Sequence, residues 1–229
     1  MPSIMITSAN RGLGLEFARQ YAADGWRIFA ACRNPDVAAD LSELARAGSV
    51  TIFPMDVTDP HSIKRAAANF VNEAIDILVN SAGIFGKQNQ KTGNVDYESW
   101  KEVLDVNTLG PLRVIEAFTD HVARSERKLV VTITSGMGSL TDNTSGGAIP
   151  YRSSKAAVNM VMRSAATDLA PHGIACVLVN PGWVKTDMGG PGAPLTPIES
   201  VAALKRLIAT LGLAQSGKFF NYDGREYAW

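Results

Sequence analysis

Tyr151 and Lys155 are the two residues whose types and spacing best fit acid–base chemistry. They lie four positions apart at the start of a predicted helix, so both side chains project from one face. A free tyrosine has a pKa of about 10, and lowering it to about 7 requires roughly 4 kcal/mol. An ammonium about 4 Å away supplies energy of that order at an effective dielectric constant of about 20. The pair is therefore predicted to exchange a proton at neutral pH, although the same spacing occurs by chance on surface helices.

The composition favours a globular cytoplasmic protein. The 229 residues include 22 Lys and Arg and 22 Asp and Glu, so no excess charge favours binding to nucleic acid or to a membrane surface. No apolar stretch approaches the ~20 residues of a membrane span, and the N-terminus does not resemble a signal peptide. Cys32 and Cys176 lie in apolar runs, which indicates buried free thiols. No cluster of His, Cys, Asp and Glu indicates a metal site.

Short apolar runs alternate with helical patterns along the chain, and continuous apolar runs are typical of parallel strands covered on both faces. The predicted strands are Ser3–Ser8, Arg27–Arg33, Thr51–Met55, Ile75–Asn80, Lys128–Ser135, Ile174–Asn180 and Lys218–Asn221. The predicted helices are Gly12–Asp24, Val37–Ala47, Pro60–Asn72, Tyr97–Ser125, Tyr151–Ala170 and Ile198–Leu211. This order predicts an α/β fold, a single Rossmann-type domain over residues 1–229 with a doubly wound parallel β-sheet of about seven strands and helices on both faces.

The first strand runs into a turn with glycines at positions 12 and 14, just before a predicted helix. Glycines at such a turn let the backbone approach a pyrophosphate, whose charge suits the N-terminus of the helix. A tight turn that simply requires glycine is the alternative. The residues predicted to contact a cofactor here are Ser8, Asn10, Arg11, Gly12, Leu13 and Gly14.

The end of the second predicted strand indicates which dinucleotide is bound. An NAD-binding domain usually places an acid there for the ribose 2′-hydroxyl, but this chain has Cys32 followed by Arg33. Guanidinium groups of Arg33 and Arg11 would bind a 2′-phosphate through hydrogen bonds worth about 1.5–3 kcal/mol each, whereas a carboxylate would repel it. NADP(H) is therefore favoured, with solvated surface arginines as the alternative.

The third predicted strand is followed by Asp56 and Val57. A short acid beside an apolar residue at this edge of the sheet would hold the adenine ring. Asp56 would equally well cap the turn before the helix that begins at Asp59 and Pro60. The sequence leaves both roles of Asp56 open.

Further motifs follow in order along the chain. They are Asn80-Ser81-Ala82-Gly83, Asn107, Ser135, the Tyr151/Lys155 pair and Pro181-Gly182-Trp183-Val184-Lys185-Thr186. In this order and spacing the chain resembles the short-chain dehydrogenase/reductase family, from about residue 3 to the C-terminus. The long stretch between Ser135 and Tyr151 and the pair Gly146-Gly147 look most like sniffer-type carbonyl reductases and C-factor-like proteins.

The resemblance implies a role for each of these residues. Tyr151 would donate a proton to a substrate carbonyl as a hydride arrives from the nicotinamide, while Lys155 would lower its pKa and bind the nicotinamide ribose. Ser135 would polarise the carbonyl, and Asn107 would help place a water that links Lys155 to solvent. The other implied cofactor contacts are Asn80, Ala82 and Gly83 on the adenosine side and Pro181, Gly182, Val184 and Thr186 around the nicotinamide.

The function implied by the resemblance is NADPH-dependent reduction of a small aldehyde or ketone to an alcohol by one dinucleotide-binding catalytic domain. Two alternatives stay open. One is an NADP(H)-binding sensor or signalling protein of the C-factor kind with little catalysis, and the other is an NAD-using alcohol dehydrogenase. The sequence does not choose between a monomer, a homodimer and a tetramer.

Two features depart from the usual family pattern. Ser8 stands where the first glycine of the nucleotide turn is usual, which affects how closely the backbone approaches a cofactor. Sixteen positions separate Ser135 from Tyr151, and we expect a loop insertion that leaves the two side chains facing each other. Trp183 and Met188 flank the nicotinamide loop and are candidate walls of an apolar substrate pocket.

Overall fold

The computed structural model describes residues 1–46 and 48–229, and seven parallel strands in it form one sheet. The strands are β1 (Ser3–Thr7), β2 (Arg27–Cys32), β3 (Val50–Pro54), β4 (Ile77–Asn80), β5 (Leu129–Ile133), β6 (Ala175–Asn180) and β7 (Phe219–Asn221). All the predicted strands are present, with ends that differ by one or two residues. The α/β fold with a doubly wound parallel sheet is therefore confirmed.

The α-helices are α1 (Gly12–Ala23), α2 (Ala39–Ala45), α3 (Pro60–Asn69), α4 (Tyr97–Leu104), α5 (Gly110–Ala123), α6 (Ile149–Leu169) and α7 (Pro197–Thr210). The helix predicted over 37–47 is shorter, and its last residue, Ala47, lies outside the described residues. The long helix predicted over 97–125 is divided into α4 and α5 by a π-helical turn. Within residues 1–46 and 48–229, no helix is both long and apolar enough to cross a membrane.

Helices cover both faces of the sheet, and each face has its own apolar core. α1, α2 and α7 pack on the face to which Ile4 and Ile6 of β1 point. α3, α5 and α6 pack on the opposite face, where Met5 points. All three side chains are fully buried, and burial of each contributes about 1.5–3 kcal/mol. Because both faces are covered, successive positions of a strand must be apolar, which explains the continuous runs in the sequence.

The order of the strands across the sheet, β3-β2-β1-β4-β5-β6-β7, reverses direction between β1 and β4. A crevice for ligands opens at the carboxyl ends of the strands beside such a switch point. The segments that follow β1, β4, β5 and β6 therefore meet at one end of the sheet. They carry the predicted site residues at 8–14, 80–83, 135 and 181–186.

The turn between β1 and α1 contains a serine in the left-handed region. Ser8 has a φ of 55°, a conformation that costs a non-glycine residue about 1–2 kcal/mol. Ser8 thus keeps the backbone that glycine would adopt freely, at a cost in stability. Gly14 serves the packing of α1, because a Cβ there would collide with the carbonyl oxygen of Ser8.

Replacement of Ser8 by glycine should stabilise the protein. Ser8→Gly relieves the left-handed strain, and part of the gain is offset by the greater freedom of glycine in the unfolded chain. We expect the free energy of unfolding to rise by about 0.5–1 kcal/mol, measured by urea denaturation. Asn89→Gly is the matched control, because Asn89 has a similar φ of 59° that asparagine tolerates better. A Ser8→Gly protein that is less stable than wild type would contradict the strain at this turn.

Candidate active site

Helix α6 starts two residues before Tyr151 and carries the Tyr151/Lys155 pair on its buried side. Tyr151 is 7% exposed and Lys155 is 4% exposed. This burial excludes the alternative of a chance pair on a solvated helix surface. The loop before α6 is held in place by Arg152, whose guanidinium donates to the carbonyl oxygen of Gly146 at 3.2 Å.

The ammonium of Lys155 is removed from water. Its Nζ donates a hydrogen bond to the carbonyl oxygen of Ile133, the last residue of β5, at 3.0 Å. The backbone of Gly83 packs beside it, since a Cβ on Gly83 would lie 3.6 Å from Nζ. Burial lowers the pKa of Lys155 from 10.5 to about 8, because the charged form loses its hydration. Lys155 is therefore charged at pH 7 but releases its proton more readily than a surface lysine.

The phenol of Tyr151 is packed against an aromatic ring. Tyr151 stacks on Phe85 with ring centroids 4.8 Å apart, and the Lys155 Nζ lies 5.7 Å from the centroid of the Tyr151 ring. Burial raises the pKa of Tyr151 above 10.0, and a hydrogen bond with the Ser135 hydroxyl opposes that rise. The expectation that Lys155 lowers this pKa is therefore wrong for the protein alone. The Lys155 ammonium lies over the ring of Tyr151, and burial is the largest cause of the rise in pKa.

Asn107 lies in the π-helical turn Asp105–Leu109, a type of distortion that is frequent at functional sites. Its Oδ1 accepts from the backbone N–H of Ile84 at 2.8 Å, and its Nδ2 donates to the Ile84 carbonyl at 2.8 Å and to Ser154 Oγ at 3.0 Å. Pro111 has no N–H to donate to the Asn107 carbonyl, as an α-helix would require. The side chain of Asn107 thus ties the loop after β4 to α6.

Ser135 follows β5 and caps a short 3-10 turn, where its Oγ accepts a hydrogen bond from the backbone N–H of Met137 at 3.1 Å. Two neighbouring hydroxyls are engaged within the fold. Thr134 donates to a side chain of α6 at 2.6 Å, and Ser139 donates to a carbonyl of the C-terminal segment at 3.1 Å. Of the three hydroxyls, that of Ser135 interacts with Tyr151 across the long loop.

Ser135 and Tyr151 open into a cavity of about 530 Å³, a size typical of small-molecule sites. The same cavity is lined by the predicted nicotinamide contacts Pro181, Gly182, Val184 and Thr186. Its remaining apolar and aromatic walls are Leu13, Phe85, Met137, Trp183, Met188 and Tyr227. Trp183 and Met188 are thus walls, as the sequence indicated. Phe85, Met137 and Tyr227 belong to no motif in the sequence, and only the fold shows their place.

The turn after β4 is held by Thr7, at the end of β1. The hydroxyl oxygen of Thr7 accepts from the backbone N–H groups of Ser81 at 2.9 Å and Ala82 at 3.0 Å. The buried Asn80 side chain donates to Thr132 Oγ1 at 3.3 Å. These hydrogen bonds join β4 to its two neighbours in the sheet, so the predicted contacts of this turn lie at the switch point.

The loop after β6 approaches the first turn. A Cβ on Gly12 would lie 3.7 Å from Thr186 Cγ2, and the half-buried Asn10 belongs to the same turn. Arg11 forms an exposed ion pair with Asp187 at 3.0 Å. The Arg11 guanidinium, predicted to bind a 2′-phosphate, is therefore directed at the loop after β6 in this structure. Such an exposed pair contributes about 1 kcal/mol or less.

The residues predicted for the adenosine lie at the ends of β2 and β3 and do not line the cavity. Arg33 is exposed beside the buried Cys32. The carboxylate of Asp56 accepts hydrogen bonds from the backbone N–H of Thr58 at 2.9 Å and from its hydroxyl at 2.7 Å. Of the two interpretations of Asp56, the structure shows the cap of a turn. Val57 next to it is buried.

A buried tyrosine–lysine pair with a serine, at the carboxyl edge of a parallel sheet, is consistent with an oxidoreductase that uses a nicotinamide cofactor. Residues 2–193 match the protein family described as short chain dehydrogenase. The chain belongs to the short-chain dehydrogenase/reductase family, as its motifs indicated.

Similar proteins include both enzymes and a protein named for signalling. C-signal of Myxococcus xanthus is 45% identical over 163 residues, which cover 71% of this chain and 98% of that protein. The structure of carbonyl reductase Sniffer of D. melanogaster is 33% identical, with a TM-score of 0.95 over 100% of both chains. NADPH-bound carbonyl reductase from chicken fatty liver is 35% identical, with a TM-score of 0.94 over 100% of this chain and 99% of that one.

The buried ammonium should destabilise the protein at neutral pH. Because the folded-state pKa of Lys155 is lowered to about 8, the folded protein binds fewer protons than the unfolded chain between that pH and the unfolded pKa of about 10.4. Stability should therefore rise with pH in this window. Lys155→Met should increase the free energy of unfolding at pH 7 by about 1–3 kcal/mol and remove that rise.

Urea denaturation of both proteins from pH 7 to pH 10 measures this effect. Lys64→Met is the control, because Lys64 is exposed on α3 and its replacement should leave stability unchanged within about 0.5 kcal/mol. Equal stability of Lys155→Met and wild type at every pH would show that the ammonium carries no desolvation penalty.

Proposed function

We propose that the protein is an NADPH-dependent reductase of aldehydes or ketones. The observation that carries this proposal is one shared cavity, lined by Ser135 and Tyr151 together with the loop 181–186. A carbonyl group in that cavity would meet two hydroxyl groups beside a nicotinamide. The similarity to carbonyl reductases over the whole chain supports the same reaction class. We assign this chemistry to residues 1–229 as one catalytic domain that acts on a small molecule in the cytoplasm.

The residues at the carboxyl edge of the sheet fit a nicotinamide dinucleotide. Gly12 has a positive φ of 54° and presents no side chain toward Thr186, which leaves room for a pyrophosphate at the start of α1. The end of β2 offers the exposed Arg33 and, where an NAD-binding domain has an acid, Cys32. This arrangement would attract a 2′-phosphate. The chicken carbonyl reductase structure contains NADPH, which favours the same cofactor here.

When bound, NADPH supplies a hydride to the carbonyl carbon of the substrate. Tyr151, kept protonated by burial, donates its hydroxyl proton to the carbonyl oxygen. The Ser135 hydroxyl, oriented by the N–H of Met137, donates a hydrogen bond to the same oxygen and polarises it. The phenolate that Tyr151 becomes is stabilised by the Lys155 ammonium, because a buried charge is tolerated when it is paired.

Lys155 returns the proton to Tyr151 after each turnover. Its pKa of about 8 lies near physiological pH, so it can release a proton and regain one. Asn107 anchors the loop beside it through Ile84 and Ser154. The carbonyl of Asn107, which Pro111 cannot satisfy, would bind a water that connects Lys155 to solvent.

A cofactor-binding signalling protein is the second candidate, and the 45% identity to C-signal favours it. The buried Tyr151 and Lys155 next to Ser135 argue against it, because a sensor needs no proton relay. An NAD-using alcohol dehydrogenase is the third candidate. The exposed Arg33 at the end of β2, in place of an acid, argues against that activity.

Removal of the Tyr151 hydroxyl should stop the reaction. Tyr151→Phe keeps the ring stacked on Phe85 and removes the proton donor, so kcat/KM for a reactive aldehyde should fall about 10²–10⁴-fold. NADPH oxidation is followed by absorbance, and NADPH binding should be retained. Tyr97→Phe, on the surface of α4, is the matched control. A wild-type rate in Tyr151→Phe would exclude this mechanism, and a wild-type protein that binds NADPH but reduces no carbonyl compound would favour signalling.

Reversal of charge at the end of β2 should change the preferred cofactor. Arg33→Asp removes a cation from the 2′-phosphate and adds a repelling carboxylate, so the Kd for NADPH should rise about 10–100-fold. The Kd for NADH should not rise. Fluorescence titration with both cofactors measures the ratio. Arg206→Asp on the exposed side of α7 makes the same change in net charge at a distance. An equal loss of affinity for NADPH in both variants would mean that Arg33 does not bind the 2′-phosphate.

A further inference from the structure

The part of the cavity beyond the predicted nicotinamide contacts is enclosed by side chains from separate segments of the chain. Phe85 follows β4, Met137 follows β5, Trp183 and Met188 follow β6, and Tyr227 follows β7. Trp183 is fixed although it is 59% exposed, because its indole N–H donates to the carbonyl oxygen of Gly189 at 2.7 Å. These walls offer aromatic rings and thioethers to a substrate.

The cavity carries no formal charge. All sixteen residues that line it, among those described, have uncharged side chains at neutral pH. Burial, and after it the nearby carboxylate of Asp142, raises the pKa of Tyr227, so this phenol is neutral as well. A carboxylate or phosphate on the substrate would find no cation in this cavity. The walls therefore fit a neutral carbonyl compound with an apolar body.

Tyr227 is a wall of the cavity that lies beside the predicted catalytic serine. A Cβ placed on Gly136 would lie 2.5 Å from the Tyr227 hydroxyl oxygen and 3.0 Å from the ring carbon that bears it. Gly136 directly follows Ser135, so the phenol occupies the space where a side chain would otherwise stand next to the serine. The ring of Tyr227 thus ends the cavity beside the position predicted for the carbonyl.

The position of Tyr227 is fixed by the fold. Its ring packs on Phe219 of β7 with centroids 4.8 Å apart, and its backbone N–H donates to the Phe219 carbonyl at 2.7 Å. Two residues further on, the carbonyl oxygen of Trp229 accepts from the Thr141 N–H at 2.9 Å and from Ser139 Oγ at 3.1 Å. The segment after β7 is therefore attached to the loop between Ser135 and Tyr151. The ring of Tyr227 cannot move freely away from the cavity.

We propose that Tyr227 is a specificity-determining residue whose ring limits the length of the neutral, apolar carbonyl compound that the site accepts. This inference rests on the proposed reductase activity and goes beyond it, because it assigns the choice of substrate to a residue outside every family motif in the chain. A short aldehyde fits in front of the ring, and a longer one meets it.

The test compares a short and a long aldehyde, benzaldehyde and 2-naphthaldehyde, and uses the ratio of their kcat/KM values with NADPH. The ratio is independent of the fraction of active enzyme. Tyr227→Leu shortens the wall and keeps an apolar contact with Phe219, so the ratio of the long to the short substrate should rise at least fivefold. Tyr227→Trp enlarges the wall and should lower that ratio at least fivefold. Tyr227→Phe keeps the ring and should leave the ratio within twofold of wild type.

The outcomes separate this inference from the function on which it rests. Reduction of both aldehydes by wild type, with a ratio that stays within twofold in Tyr227→Leu and Tyr227→Trp, overturns the inference alone. A ratio that changes in Tyr227→Phe as much as in Tyr227→Leu assigns the selection to the hydroxyl and overturns the limit on length. If the wild-type protein oxidises NADPH with neither aldehyde, the proposed function is overturned and the inference with it.

Discussion

One buried cation sets the geometry of the candidate site. The Lys155 ammonium is buried, with a carbonyl of β5 as its hydrogen-bond acceptor and the backbone of Gly83 beside it. A charge without water is tolerated in a fold only where dipoles and partners replace its hydration. The ammonium therefore depends on three elements of the fold, which are the end of β5, the turn after β4 and α6. Asn107 couples the last two through Ile84 and Ser154, and the π-helical turn gives Asn107 its place.

The fold could be predicted from the sequence because parallel strands that are buried on both faces require continuous apolar runs. Glycine turns and polar strand ends then showed which ends of the strands meet. The ends of elements were less predictable, since apolar residues such as Ile75, which precedes β4, also lie outside the hydrogen-bonded part of a strand. The helix predicted over 97–125 failed for a different reason: its apolar periodicity does not show the π-helical turn Asp105–Leu109, which lies just before Pro111.

The sequence predicted part of the geometry of the site but not its electrostatics. Motif residues such as Ser135 and Tyr151 reach one cavity, as expected, because the sheet brings the ends of neighbouring strands together. The pKa of Tyr151 shifts in the opposite direction to the expected one, since spacing along a helix says nothing about loss of water or about which part of the ring faces the ammonium. No motif in the sequence indicated that Tyr227 lines the cavity, because its place depends on how the segment after β7 folds back onto Gly136.

The same electrostatics bear on the choice between catalysis and signalling. A protein that only binds a dinucleotide could do so with backbone N–H groups and exposed cations, and would need no buried lysine. Burial of the Lys155 ammonium beside a buried phenol destabilises the fold while both groups hold their protons, since neither gains an opposite charge. The pair becomes favourable only when the phenol has lost its proton, because the phenolate and the ammonium then attract each other in a site of low dielectric constant. That state would arise in the proposed proton transfer to a substrate, so the arrangement fits the proposed reaction better than it fits binding alone.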